Sequence, residues 1–485
     1  MGIVSTVKRW IDMVFRRQAQ EDFKVEPVSS PEMDALIERC GNIYRGRPDW
    51  IMEPDDHIKT INFAKSICSE TARLTTLAIG IQISGSARAT WLQEQVDKVY
   101  SKIREWVEYG CAYGTVIIKP NGESLEVFTP ADFMVIDRDN LNINGIIFFD
   151  HYEQDGKYYT RLEYHRFKEE KNGDKTTYPY YISNKAYVSK SQSSKGDPIP
   201  LSRTKWAGMM EESPPITKGE GEKLDGPMFG VLRMPGANNI DIDSPLGLPV
   251  FTDAIEEFKD LDVAYSRNVG EIFDSERIVL ADDRLMYESG TPVKKFVGGA
   301  KNAAVKIARY VKNVFGSNPQ EFYQEINPNL NTETRLAGIN SLLSQIGYKC
   351  GYSNGYFVFN ESTGIATATQ IESENQRTVQ FIKDIRDKLE ECIKGAVYGL
   401  SVYADIYELN PAGNYKIDFD FGEIYYNRQE ERERAIRLVS SGLMTKEYYL
   451  EKYEGFTKQE ATEMVSVVEQ KEKEKMKVDF FGKEE

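Results

Sequence analysis

The sequence predicts an α+β chain of several subdomains, and three observations carry that expectation. Helical hydrophobic spacing occupies both ends of the chain, the period switches to two between about 114 and 188, and the length is 485 residues. Single hydrophobic cores stop growing at about 250 to 300 residues, so two to four subdomains are expected. Hydrophobic residues at 40% and charged residues at 28% give a composition that can fold, with disorder confined to local stretches.

In the first segment Val4, Val7, Ile11 and Val14 recur at helical spacing, interrupted by Lys8, Arg9 and Asp12. This predicts a short amphipathic helix docked on the protein, not a membrane span or a secretory signal. From Asp34 to about Tyr109, INFAKSICSETARLTTLAIGI and WLQEQVDKVYSKIREWVEYG place apolar residues three and four apart, which predicts helices. Beyond Gly114 the pairs Asn121-Gly122, Asp155-Gly156 and Asn172-Gly173 stand between β-branched and aromatic runs, so a hairpin-rich sheet is expected over Thr115 to Val188. Ser, Gly and Pro then cluster in SKSQSSKGDPIPLS and in EESPPITKGEGEKLDGP, predicting exposed, mobile loops.

After Pro249 the stripe Ile255, Phe258, Leu261, Tyr265, Val269 and Ile272 predicts a helix, with Asp253, Glu256, Glu257 and Asp260 on the opposite face. Asp274 to Asn329 reads as a mixed insertion: a strand in ERIVLAD, a turn at Gly298-Gly299, a helical piece and a strand near Phe322. A second helix begins near Thr332, carries Leu336, Ile339, Leu343 and Ile346 on one face, and dissolves into GYKCGYSNGYF. A long helix is expected from near Thr367 up to Asn410-Pro411, about nine turns, because Thr367 with Gln370 and Thr369 with Glu372 have capping-box spacing. One alternating strand, Tyr415 to Phe421, follows. Charged helices broken at Gly442 and Gly455 come next, with Thr457 and Glu460 forming another capping box, before a frayed tail holding Phe480 and Phe481.

The chemistry-bearing residues exclude more than they assign. Cys40, Cys68, Cys111, Cys350 and Cys392 are odd in number, scattered and without CxxC spacing, so neither a disulfide framework nor a zinc module is indicated and a reducing compartment fits. His57, His151 and His165 supply no metal-ligand spacing. Gly351 to Gly355 (GYSNG) matches the GxSxG elbow of hydrolases, but no histidine follows Ser353, which favours a glycine-rich loop. Asn140, Asn142, Asn144 and Gly145 imitate a calcium loop with Asn at its first position and His151 at its twelfth, so a plain turn is expected. No GxxxxGK[ST] is present, which removes a P-loop motor.

A net charge of −15 repels phosphate at long range, so tight nonspecific nucleic-acid binding would need basic residues concentrated on one surface. Thr291 to Gly316 holds Lys294, Lys295, Lys301, Lys306, Arg309 and Lys312 with no acidic residue. Two readings stand for it: a solvated face, or a contact surface for an acidic partner or for DNA phosphates. The run Asp253, Glu256, Glu257 and Asp260 has three: a solvated face, a set of metal or acid–base carboxylates, or an acidic surface that repels DNA.

Five segments in collinear order carry a resemblance: INFAKSICSETARL, YGCAYGTVIIKPNGESLEVFTPADFMVI, NNIDIDSPLGLPVFTDAIEEFKDLDVAYS, GINSLLSQIGYKCGYSNGYFVFNESTGIATATQIESENQRT and SSGLMTKEYYLEKYEGFTKQEATEM. Together they resemble the portal proteins of tailed bacteriophages, of the type found in long-tailed phages of Gram-positive hosts. The resemblance implies a portal-protein fold with a hairpin-rich wing over 1–245, stem helices over 246–273 and 330–349, a small α/β clip over 274–329, and a channel loop over 350–366. A long tunnel helix returning to the wing would take 367–426, and a helical C-terminal crown and tail 427–485.

It further implies a homo-oligomeric ring, of twelve, that packages and ejects double-stranded DNA at the capsid vertex without sequence specificity. Asn354, Gly355, Asn360, Glu361, Ser362 and Thr363 would form the channel-facing loop. Lys294, Lys295, Lys301 and Lys306 would face the large terminase and later the head-tail adaptor, and Asp253, Glu256, Glu257 and Asp260 would form an acidic stem face. Major capsid and scaffolding proteins complete the implied partners; no cofactor, metal, membrane or catalytic residue is implied, and the location is the virion after assembly in the host cytoplasm. The competing readings are another virion structural protein such as a minor head protein, a DNA-binding module on the basic segment, and a hydrolase using Ser353.

Overall fold

A computed structural model describes residues 15–51, 58–274, 278–281, 287–288, 291–292, 311–313, 323–326, 332–358, 375–422 and 435–468, apart from gaps of one or two residues inside these ranges. Between 271 and 332 the description is of backbone elements alone. The chain divides into two compact units, one of residues 1–361 and 377–422, the other of 362–376 and 423–485.

The first unit begins with helix α1 (15–23) and helix α2 (Pro31–Tyr44). Ser30 starts α2 because its hydroxyl accepts the Met33 N–H, and Pro31 occupies the first turn, where its missing N–H costs nothing. Helix α3 (Phe63–Thr75) ends earlier than the spacing predicts, and LAIGI, read as helix from the sequence, instead leads into strand β1 (Gly80–Ser84). The cause is a tertiary partner: β1 pairs antiparallel with Lys416–Asp420, far along the chain, and pairing overrides local propensity.

The helical pattern expected after β1 is realised as α4 (Ala87–Val99), a 3₁₀ turn Tyr100–Lys102 and α5 (Ile103–Tyr113). Tyr100 donates its hydroxyl to the Ile79 carbonyl, which holds the break against the start of β1. Gly114 closes α5 at φ 78°, and a Cβ there would lie 2.2 Å from the Gly247 carbonyl oxygen, so only glycine fits.

The expected hairpin-rich region is two sheets and a small hairpin. Strands β2 (Thr115–Asn121) and β3 (Ser124–Phe128) meet at Asn121-Gly122. The chain then turns at Thr129-Pro130, where Asp132 accepts both the Thr129 N–H and its hydroxyl, and leaves for a second sheet. That sheet is built from β4 (Phe133–Asp139), β5 (Asn142–Gln154) and β6 (Lys157–Phe167). Asp155-Gly156, at φ 52° and 67°, makes the two-residue turn between β5 and β6.

β7 (Glu170–Asn172) and β8 (Lys175–Thr177) form the separate hairpin. β9 (Tyr180–Ser189) and β10 (Asp197–Ile199) complete the order β10-β9-β6-β5-β4, and β11 (Gly230–Arg233) joins β2 and β3 in the order β11-β2-β3. The Asn140 region is the β4–β5 turn, with Asn140 at φ 56°, as a plain turn requires.

β5 is buried on both faces. Ile146 and Phe148 pack with Met33, Ile37, Phe128 and Phe229, while Ile147 and Phe149 pack with Phe15, Ala19, Leu162 and Tyr164. Alternating side chains thus pin the sheet between α2 with the smaller sheet on one side and α1 on the other. The Ser/Gly/Pro stretches before Pro227, expected to be exposed, are partly core: Leu201 packs with Ala186 and with Trp206 of the segment between the stretches, and Ile216 and Leu224 pack with Tyr180 and Met228. Their few apolar residues dock on the sheet because Ile216 exchanges backbone hydrogen bonds with Tyr180.

Helix α6 (Ile255–Asp274) and helix α7 (Thr332–Lys349) flank short strands: β12 (Ile278–Ala281), β13 (Tyr287–Glu288), β14 (Thr291–Pro292), β15 (Val311–Asn313) and β16 (Tyr323–Ile326). β12 is central, parallel to β15 and antiparallel to β16. The turn at Gly298-Gly299 and its helical neighbour lie outside the described residues. Helix α8 (Gln376–Ile406) has 31 residues; the capping residues Thr367, Thr369, Gln370 and Glu372 lie outside the described residues.

Arg88 ends α8, donating to the carbonyls of Ser401, Asn410 and Pro411 and to Asp405 while itself 1% exposed. Arg386 does the same for α3, donating to the carbonyls of Leu74, Thr75 and Gly422. Gly395 and Gly399 let α8 approach the Met228–Gly230 backbone, and Gly230 lies against the Cys392 carbonyl. β17 (Lys416–Asp420) closes the unit on β1, whose other edge is occupied by Gln93: its side chain accepts the Ile83 N–H and donates to the Ile81 carbonyl.

The second unit is described over helices α9 (435–440), α10 (Lys446–Tyr453) and α11 (460–468). Thr457 and Glu460 bond reciprocally at the start of α11, the geometry their spacing predicts.

Candidate functional site

The residues singled out by sequence fall in three places. Asp253 sits in the 3₁₀ turn Thr252–Ala254 that leads into α6, and with Glu256 and Asp260 it is exposed. Glu257 is half-buried and pairs with Lys349 on α7 at 2.5 Å, and Glu256 meets Arg39 of α2 at 3.4 Å. Two of the four carboxylates therefore bridge helices, and the run is only partly a free acidic face.

Sequence reading missed Asp262, one turn further on and 3% exposed. Its carboxylate accepts the Trp50 indole N–H and the Ile61 N–H, each at 3.0 Å, while burial raises its pKa above the usual carboxylate value. Together with Ser266, which accepts the Lys59 N–H at 2.8 Å, it fastens the segment before α3 along α6. An Asp on the apolar side of LDVAYS was the available signal.

The described part of the predicted channel-facing loop is tethered at its base. Gly351 turns the chain at φ 92°, and Tyr352 is fully buried with its hydroxyl 2.7 Å from Thr71 Oγ1. Phe357 stacks edge-on with Tyr352 and with Phe63, and Tyr356 donates to Glu70 at 2.6 Å. The bidentate Arg73 guanidinium holds the Glu70 carboxyl below its ordinary pKa.

Ser353 is 5% exposed; its N–H donates to Thr378 Oγ1 at 2.8 Å, and its Oγ faces the start of α8. A serine so engaged fastens a loop to a helix and is no exposed nucleophile, which removes the motif behind the hydrolase reading. Between these anchors Asn354 is exposed and Gly355, at φ 78°, has open space around it. Asn360, Glu361, Ser362 and Thr363 lie outside the described residues, as do Lys294, Lys295, Lys301, Lys306 and Arg309 of the basic run.

All five cysteines are buried and free. Desolvation raises their thiol pKa values, Cys40 to about 12, so they remain unreactive thiols at neutral pH. Among the described residues no group of three or more His, Cys, Asp or Glu side chains is placed to hold a metal ion. No described helix is long and apolar enough to cross a membrane.

No curated protein matches the chain. Among solved structures it is similar to a chain in the virion of a native gene transfer agent particle, with TM-score 0.40, 11% identity, and coverage of 90% of this chain and 98% of that one. A chain in the neck of an empty particle of that kind, computed with C6 symmetry, gives TM-score 0.38 at 10% identity over 88% and 94% of the two chains. One in the neck of a native particle, computed with C12 symmetry, gives 0.38 at 12% over 90% and 97%. The family described as "Phage portal protein, SPP1 Gp6-like" matches residues 62–477, which is most of the chain. The chain therefore belongs to the phage portal protein family, as its collinear segments led us to expect.

Proposed function

We propose that twelve copies of this chain form a ring at a capsid vertex, through whose channel double-stranded DNA is packaged and later ejected. The observation that carries this reading is the family match over residues 62–477. The net charge of −15 supports a conduit, because each phosphate neutralised by a fixed cation adds affinity through counterion release, and affinity opposes sliding. In this reading Asn354 and Gly355, between the anchored Ser353 and Tyr356, face the DNA with Asn360, Glu361, Ser362 and Thr363. Lys294, Lys295, Lys301 and Lys306 dock the large terminase and then the head-tail adaptor, and capsid and scaffolding proteins meet the outer surface. The chain performs no covalent chemistry; ATP is consumed by the terminase.

The test is negative-stain electron microscopy of the purified protein at several concentrations, with sedimentation velocity and DNA binding at two salt concentrations beside it. Discrete rings with a hole wide enough for duplex DNA are expected, with weak DNA affinity. A monomer that binds DNA tightly, with an affinity that falls steeply with salt and disappears when Lys294 to Lys306 are neutralised, would establish a DNA-binding module instead.

A further inference from the structure

The two sheets of the first unit meet across a buried set of charges that sequence reading did not single out. Lys119 on β2 is 1% exposed and donates to Glu163 Oε2 on β6 at 2.7 Å; Arg161, also on β6 and fully buried, reaches the same oxygen at 2.9 Å. Arg161 also faces Asp150 of β5 at 3.3 Å. The other Glu163 oxygen lies 2.9 Å from His165 Nε2, and His165 Nδ1 lies 2.9 Å from the Tyr180 hydroxyl on β9. Residues 161, 163 and 165 share one face of β6 because strand side chains alternate, and that face looks toward the smaller sheet.

The wiring accommodates a neutral imidazole with every group paired. A carboxylate can only accept, so Nε2 carries the proton that Glu163 takes, and the Tyr180 hydroxyl donates to the bare Nδ1 while accepting the Met228 N–H. In that state the two fully buried cations, Lys119 and Arg161, stand against two carboxylates, Glu163 and Asp150, with Lys205 reaching Asp150 from the solvent side. A second proton on His165 adds a third cation to a buried set and leaves the Tyr180 hydroxyl without its acceptor. Other titratable groups touch this set: Lys205, half-exposed, approaches Asp150 at 3.6 Å, Tyr152 also interacts with Asp150, and Tyr398, Tyr403 and Tyr407 of α8 interact through Tyr180 and Glu163; the four tyrosines remain neutral phenols because burial raises their pKa values.

We propose that this network is an acid-released latch between the two sheets: with His165 neutral it seals β2 to β6, and protonation of His165 opens it. The idea goes beyond the portal reading and does not depend on it. Burial lowers the His165 pKa from its ordinary 6.5. Above pH 6.5 folded and unfolded chains are both neutral at this site and its contribution is complete. As pH falls below 6.5 the unfolded chain takes up a proton that the folded chain refuses, so stability is lost down to the folded pKa. Burial alone would raise the Glu163 pKa, but Arg161, Lys119 and His165 hold it well below 4.5, so its own contribution is lost only at lower pH.

The experiment compares the full-length protein with His165→Gln, whose amide can donate and accept in the same places without titrating. Urea unfolding midpoints and hydrogen exchange of β2 and β6 amides are read at pH 7.5, 6.5 and 5.5, the exchange corrected for intrinsic rates. The unmodified protein is expected to lose about fivefold in its folding equilibrium constant between pH 6.5 and 5.5, the most that one proton taken up by the unfolded chain from half-saturation can supply. β2 and β6 protection should fall with it, while His165→Gln stays flat. Equal protection of the unmodified protein at all three pH values, or an unchanged slope in the variant, would overturn the latch. Should His165→Gln fail to fold, the ring carbon resonance of His165 decides: titration near 6.5 with β2 and β6 protection intact contradicts the proposal, and coincident loss of both supports it.

Discussion

Adding one methyl group at Gly230 tests how closely the long helix is packed on β11. A Cβ at this position would stand 1.8 Å from the Cys392 carbonyl oxygen, 2.7 Å from its carbon and 2.9 Å from the Ala396 nitrogen, all of them backbone atoms that no rotamer change can move. Restoring contact to about 3.5 Å would push α8 away from β11 by about 1.7 Å, and overpacking of a well-filled core costs about 1 to 3 kcal/mol. With backbone on both sides the upper figure applies, and at about 2 °C per kcal/mol for a large folded unit, Gly230→Ala should lower Tm by about 6 °C. Gly226→Ala is the control, since nothing lies within 4 Å of its would-be Cβ, and it should fall within about 0.5 kcal/mol of the unmodified protein. Thermal unfolding followed by circular dichroism measures both. Equal midpoints for the two variants would refute the claim that α8 and β11 touch backbone to backbone.

Arg386→Met removes donors from three carbonyls, two of them at the end of α3, and should cost about 3 kcal/mol in urea unfolding. Lys349→Met, which breaks a half-exposed pair with Glu257, should cost under about 1 kcal/mol by the same assay. The five buried thiols should be inert to a thiol-specific dye at pH 8 in the folded protein, because their pKa values are raised and they remain protonated, and all five should react in denaturant. Ser353→Ala should cost about 1 kcal/mol by removing the Oγ that accepts the Thr378 N–H and hydroxyl, and esterase assays should read background both before and after the substitution.

What the sequence made legible followed local rules. The turn pairs Asn121-Gly122 and Asp155-Gly156 demand left-handed backbone at fixed positions, and the structure has strands ending on either side of each. Thr457 and Glu460 cap a helix because two side chains three residues apart can satisfy each other's free amides. What escaped depends on partners remote in sequence. LAIGI is part of no helix because β17 claims its continuation, and nothing near Gly80 announces Lys416. Arg88, Lys119, Asp262 and Arg386 look like ordinary surface charges until the chain folds around them. Of the candidate site, the acidic run is located but half engaged in helix bridges, Ser353 proves structural, and Asn354 remains exposed beside it, next to a half-buried Gly355.

The doubly buried β5 has a consequence for how the chain reaches its fold. Its central residues are Ile146, Ile147, Phe148 and Phe149, so each face of the strand offers one isoleucine and one phenylalanine, and a slip of one residue would exchange two nearly equivalent faces. Hydrophobic burial therefore discriminates poorly between the native register and its neighbour. The choice falls to the strand's ends: the Asp155-Gly156 turn, and the irregularity opposite Gly145, where a Cβ would lie 2.9 Å from the Asp137 Cβ. Weakening either end should leave the native state nearly as stable while admitting a misregistered hairpin early in folding, seen as a slow refolding phase or as aggregates whose yield depends on growth temperature.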